Sequence, residues 1–261
     1  MGDAAQLGQA DVLLVAAGRM GRRVGSSLFC AEVSLFCAEL LNKWGAADPA
    51  YSIATMTRSA HYASDAVQLY VSIEAPDAPT QEKLAQALYW KGLNYSTFLR
   101  LGGTENSSVG ECLATAQDAL DKCLELRTRL KSPPKKMSEL TFARGVLCFC
   151  TAEAVGGGLL QLGGGKDKSQ EFYEEAHKLF HEVLLEWKGR HGDMSLETVK
   201  AITMLGATTS KMRGAMEALV WFEEEVNIRA AIQGDGHART QQARRNLATL
   251  SEKVKRASLD V

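Results

Sequence analysis

Apolar residues between positions 81 and 101 fall at Leu84, Leu88 and Leu99, with Trp90 among them. Leu84 and Leu88 stand one helical turn apart and Leu99 about three turns further on, which marks the stretch as a helical candidate. The stretch predicts a helix over Gln81–Leu101 paired with a second over Val109–Leu130. Upstream, residues 27 to 40 contain a heptad duplication, SLFCAEV followed by SLFCAEL. A seven-residue period lays Leu28 and Leu35, with Phe29 and Phe36, along one stripe and keeps Glu32 and Glu39 on another. An amphipathic helix is expected there, packed on the first helical unit; a self-associating helix is the alternative.

The last third of the chain repeats itself at a spacing of 42. Ala176 and Ala218, Phe180 and Phe222, Leu184 and Val226, Gly192 and Gly234, Asp193 and Asp235, Thr198 and Thr240, and Leu205 and Leu247 all stand that far apart. Such a period makes a stack of supersecondary units the leading architecture. Each unit reads as a helix hairpin. Thr198 and Thr240 precede periodic segments and are expected N-caps. Ala176 and Ala218 lie one turn before Phe180 and Phe222, so a small residue admits the neighbouring helix and a ring fills the space beyond. Gly192 and Gly234 are expected left-handed helix ends.

Further back, Ala116, Leu120, Cys123 and Leu124 match Ala176, Phe180, Val183 and Leu184 at a spacing of 60. The unit therefore carries 18 extra residues, expected around Val155–Asp167, where two Gly-Gly-Gly runs bracket Leu159 to Leu162. A shorter unit runs over Ile53–Ile73, closed by Pro76 and Pro79.

Thr198 to Thr240 resembles the 42-residue tetratricopeptide repeat of kinesin light chains and related scaffold proteins. The resemblance rests on Ile228-Arg229, on Gly234-Asp235-Gly236-His237 and on Asn246-Leu247-Ala248, and it is specific over about residues 172 to 250. The chain departs from the pattern at Ala238, where a proline follows the histidine in the family, at Gly145, which replaces a leucine of the first helix, and in the 18 extra residues. It carries no acidic heptad coiled coil for pairing with a heavy chain. The resemblance implies an all-α fold, a tetratricopeptide-like solenoid of antiparallel helix hairpins in a right-handed superhelix. Units are expected at 27–79, 80–134, 138–194 and 195–236, with a capping helix at 237–257 and an N-terminal segment, 1–26, partly helical or disordered.

In stacked hairpins the first helices line a concave groove. By the family's register the groove set is Lys200, Thr203, Met204 and Ala207, then Gln242, Arg245, Asn246 and Thr249. From Ser138 it is Leu140, Ala143, Arg144 and Leu147. Leu205 and Leu247 are packing positions, with Ala176, Phe180, Ala218 and Phe222. Arg144, Lys200 and Arg245 would pair with carboxylates and Asn246 with peptide backbone. The expected function is non-catalytic: recruitment of a protein or peptide segment with acidic and apolar residues, with membership of a larger assembly as a further expectation. Chaperone-binding members use a Lys and an Asn where this chain has Thr203 and Ala207, so a C-terminal carboxylate is not the expected ligand. An alternative is a purely structural subunit whose groove is filled by its own tail, Ser251–Val261.

Composition narrows the picture further. Thirty basic and 31 acidic residues give a net charge of −1 and a pI near 6.5, with no block of like charge, so nucleic acid is not an expected partner. Six cysteines, none in C-x-x-C spacing, read as reduced core thiols and make zinc and disulfides unnecessary. The apolar run Val12–Ala17 is far shorter than the roughly 20 residues that span a bilayer. The start has Gln6 where myristoylation requires Ser or Thr, and no basic residue precedes the apolar run. A cytoplasmic setting is expected.

Three motifs carry competing chemistry. Val12 to Arg22, with Gly18 and Gly21, resembles the phosphate turn of NAD(P)-dependent reductases, but Val15 occupies the first glycine position and no second strand is expected after it. His177 and His181 stand four apart, a metal-compatible spacing with no third ligand assigned. Gly163-Gly164-Gly165-Lys166 resembles the end of a phosphate loop, with Asp167 at the hydroxyl position. There is no G-x-S-x-G elbow. No catalytic residue, metal or cofactor is expected.

Overall fold

In a computed structural model, the described residues are 16, 26–47, 52–103, 108–160 and 165–259. Among them are nine helices and no strand: α1 (Ser27–Ala47), α2 (Ser52–Val71), α3 (Ala78–Arg100), α4 (Val109–Arg129), α5 (Pro134–Gly156), α6 (Gly165–His191), α7 (Leu196–Met212), α8 (Ala215–Gln233) and α9 (Ala238–Leu259). The chain divides into two compact units, Met1–Met137 and Ser138–Val261. Consecutive helices pack within each: α1 on α2, α2 on α3 and α3 on α4 in the first, and α6 on α7, α7 on α8 and α8 on α9 in the second. Phe142 of α5 meets Phe180 and Trp187 of α6 at ring-centroid distances of 5.6 and 5.2 Å.

Local chemistry explains the helix ends. Asp77 caps α3, accepting from the Thr80 amide at 2.9 Å, with Pro79 in the first turn, where a missing N–H costs nothing. Those hydrogen bonds hold the Asp77 carboxyl below the ordinary carboxylate range. Ser108 and Glu111 form a reciprocal capping box on α4. Gly192 and Gly234, with φ of 81° and 82°, end α6 and α8 in the region that favours glycine.

The expected threonine caps are corrected. Ser195 caps α7, receiving the Thr198 amide at 3.0 Å, while the Thr198 hydroxyl turns back to the Gly192 carbonyl at 2.9 Å. Thr240 lies buried in the first turn of α9, which begins at Ala238. In both places the helix starts earlier than the apolar pattern does, so the threonine falls inside.

Three of the hairpins are closed by a glycine in the first helix. A β-carbon built on Gly92 would lie 2.5 Å from Leu120 Cγ, and one on Gly145 would lie 2.7 Å from Phe180 Cε1. At Gly206 it would come within 3.1 Å of Phe222 Cε2. The large residues in these notches, Leu120, Phe180 and Phe222, are the three that the 60- and 42-residue spacings align. Ala176 and Ala218, one turn earlier, are fully buried, as are Phe180 and Leu205, while Phe222 and Leu247 are half-buried. The 18 extra residues are not confined to a glycine loop. α5 and α6 span 23 and 27 residues against 17 and 19 for α7 and α8, so much of the insertion lengthens both helices. Gly163 and Gly164 lie outside the described residues.

α1 also differs from expectation. Its inward face is Cys30, Ala31, Cys37 and Ala38, whereas Phe29 and Phe36 are 44% and 56% exposed and Leu28 is exposed with them. The small residues allow close approach of α2, and the phenylalanines point to solvent. Ser251 to Leu259 form the last turns of α9, so those residues continue the final helix instead of folding back as a groove-filling tail.

Two buried polar arrangements tie the first unit together. Asn94 of α3, fully buried, donates to Ser59 Oγ of α2 at 2.6 Å and accepts from Asn42 of α1, and Ser59 donates to the Ala38 carbonyl of α1 at 2.6 Å. Arg127 of α4, also fully buried, donates to the Lys136 carbonyl and to Gln86 Oε1 at 3.1 Å, with its guanidinium 5.1 Å from the centroid of the Tyr89 ring.

Candidate functional site

The accessible residues on α7 and α9 recur in register, and those on α5 share their step pattern but not their register. On α7 one accessible line runs through Lys200, Thr203, Ala207 and Ser210, in steps of three, four and three, and Lys200 is exposed. On α9 the residues 42 positions later are Gln242, Arg245, Thr249 and Glu252, all reaching solvent. On α5 the partly exposed line is Thr141, Arg144, Cys148 and Thr151. One cation therefore stands on each line: Arg144, Lys200 and Arg245.

Several of these groups are pre-positioned. Arg245 donates to Gln242 Oε1 at 3.0 Å and Gln242 donates to Asn246 Oδ1 at 2.9 Å, an exposed network along one helix face. The Thr203 and Thr249 hydroxyls return to the carbonyls of Val199 and Arg245 at 2.9 Å. Met204 is corrected: it is 5% exposed and belongs to the packing of α7. Leu140, Ala143 and Leu147 are buried as well, because the accessible line on α5 runs through Thr141 and Cys148 and leaves Arg144 as the one shared position.

An ionic link has no counterpart in the sequence pattern. Glu153 of α5 accepts from Lys211 of α7 at 2.8 Å and from the Tyr173 hydroxyl of α6. Burial, then the hydrogen bond to Glu153, raises the Tyr173 phenol above its ordinary range, so it stays a donor. Glu153 and Lys211 are 58 residues apart, and no periodic signal connects them.

The competing chemistry finds little support. All six cysteines are free. Burial pushes Cys37, Cys123 and Cys148 up to about 11, leaving thiols that are poor nucleophiles near neutrality. Among the described residues no cluster of three or more His, Cys, Asp and Glu side chains could hold a metal ion, and no helix is long and apolar enough to cross a membrane. The Gly18–Gly21 turn lies outside the described residues, and those described contain no sheet to support a dinucleotide fold.

His177 is lowered from 6.5, first by burial and then by Arg213 and His181. The folded unit thus disfavours the proton. This contribution to stability is retained above the unfolded value of 6.5 and declines as pH falls through it. An NMR titration is expected to place the His177 midpoint below 6.5, and Arg213→Ala is expected to move it upward; a midpoint at or above 6.5 in the unmodified chain would contradict this assignment.

No protein-family model matches the chain, and no curated protein does. Among solved structures it is similar to the crystal structure of BtubC (BKLC) from P. vanneervenii, at 14% identity and a TM-score of 0.57, over 94% of this chain and 82% of that one. At that identity the likeness is one of fold. The present chain is a tetratricopeptide-like, all-α helical repeat protein.

Proposed function

We propose that the chain is a non-catalytic, cytoplasmic interaction scaffold that recruits an extended protein segment along the accessible lines of α5, α7 and α9. The observation that carries this reading is that each line holds one cation, Arg144, Lys200 or Arg245, with hydroxyl groups beside it and Glu252 closing the α9 line. Carboxylates of the bound segment pair with the cations, with Arg144 and Arg245 able to do so bidentately. Asn246 bonds the segment's backbone, and the half-buried Thr203 and Ala207 supply the shallow floor between charges. Six free thiols agree with a reducing compartment. Binding of this type makes the chain an adaptor and suits a subunit of a larger assembly.

A panel of fluorescent peptides alternating acidic and apolar residues tests the reading by anisotropy. Combining Lys200→Ala with Arg245→Ala and Asn246→Ala is expected to weaken the best binder at least about tenfold and to flatten its salt dependence, at unchanged helical content. Equal affinity for the native and triple-variant proteins would overturn the assignment.

A further inference from the structure

Among the described residues, α1 turns its small residues inward and its aromatic ones outward. Its small residues, Cys30, Ala31, Cys37 and Ala38, are between 0 and 6% exposed, while Phe29 and Phe36 point outward. Val33 and Leu40, both partly exposed, fall on the same line at steps of four, three and four. Where a helix of a repeat domain meets water, its outer face is ordinarily polar. The last helix, α9, does so, with Arg244, Arg245, Asn246, Thr249, Lys253 and Arg256 exposed.

We infer that the outer face of α1 is a two-fold contact with the α1 of a second copy of this chain. An isologous contact requires a patch complementary to itself. The duplicated heptad provides one: with the two helices antiparallel and the axis midway between residues 32 and 33, Phe29 of each copy meets Phe36 of the other and Val33 lies beside the axis. Charge agrees with that register. Glu32, which the antiparallel arrangement brings toward its own symmetry mate, is neutralised by Lys83 of α3. Glu39 falls opposite Ser26 of the second copy, at the start of its α1, where the helix dipole favours a carboxylate.

The stripe spans three turns on one helix, well short of the roughly 800 Å² per partner typical of stable complexes, so the dimer is weak and concentration-dependent. Sedimentation of the full chain is expected to show an average mass rising from monomer toward dimer with concentration. Phe29→Glu combined with Phe36→Glu is expected to abolish the rise without loss of helical content or Tm, since both rings face solvent. In an independent arm, Val33→Cys is expected to cross-link two copies through a new disulfide on mild oxidation, while the native chain, whose nearby Cys30 and Cys37 are buried, does not. Three results overturn the inference: a native chain monomeric at every concentration, a dimer that survives the double substitution, or a double variant that loses Tm, which would show that the stripe packs within its own chain.

Discussion

Gly145→Leu is expected to destabilise the second unit by about 3 kcal/mol or more, although leucine is the residue the family pattern places there. Gly145 is buried in α5, and a β-carbon on it would lie 2.7 Å from Phe180 Cε1 and 3.0 Å from Phe180 Cδ1 and Cζ. Leucine adds three further carbons to a space the ring already fills. Phe180 cannot swing away, because it is fully buried and packed against Phe142. Removing the ring alone, in Phe180→Ala, leaves a cavity and is expected to cost about 3 to 5 kcal/mol. The combination of Gly145→Leu and Phe180→Ala exchanges volume between facing positions, so its cost should fall well below the sum of the two. Thermal or urea unfolding of the four proteins in this cycle measures that coupling. Additive losses would show that glycine and ring do not share one notch.

The second large effect is expected at Arg127. Arg127→Ala removes the donors to the Lys136 carbonyl and to Gln86, takes the cation from the Tyr89 face, and opens a cavity between α3 and α4. The first unit should lose about 3 kcal/mol, since a buried acceptor left unpaired costs more than the net worth of its hydrogen bond. Arg127→Lys should recover little, because a single ammonium cannot address two acceptors in different directions. Arg127→Met, which fills most of the volume without a charge to bury, should recover more. Unfolding in urea, monitored by helical CD, ranks the three variants. If Lys matched the native residue, the two-acceptor geometry would be wrong.

Much of the architecture is legible in the sequence because helix-hairpin packing imposes fixed residue types at fixed intervals. The 42-residue spacing locates the turns at Gly192 and Gly234, where positive φ favours glycine, and the buried pairs Ala176–Phe180 and Ala218–Phe222, although Phe222 is only half-buried. The helices expected at 81–101 and 109–130 are α3 and α4 to within three residues at either end.

Other features depend on facts that one-dimensional patterning does not contain. A seven-residue repeat defines the stripes of α1 but not which one faces inward, and close approach of α2 selects the cysteine and alanine stripe over the larger residues. The groove register fails on α5, where Leu140, Ala143 and Leu147 are buried and the accessible face runs through Thr141, Arg144, Cys148 and Thr151. Met204 holds a groove place in the family register, whereas in this chain it is core. Glu153, Lys211 and Tyr173 come from three helices and meet only in the folded unit.

If the lines on α5, α7 and α9 form one surface for an extended acidic and apolar segment, adding the tightest peptide of the panel to the full chain should move a single set of amide and side-chain NMR signals. The expected shift changes gather at Arg144, Lys200, Thr203, Arg245 and Asn246, with α6 and α8 silent on their outer faces. Perturbations confined to α6 and α8, or no saturable change with any peptide of that chemistry, would contradict a shared binding surface.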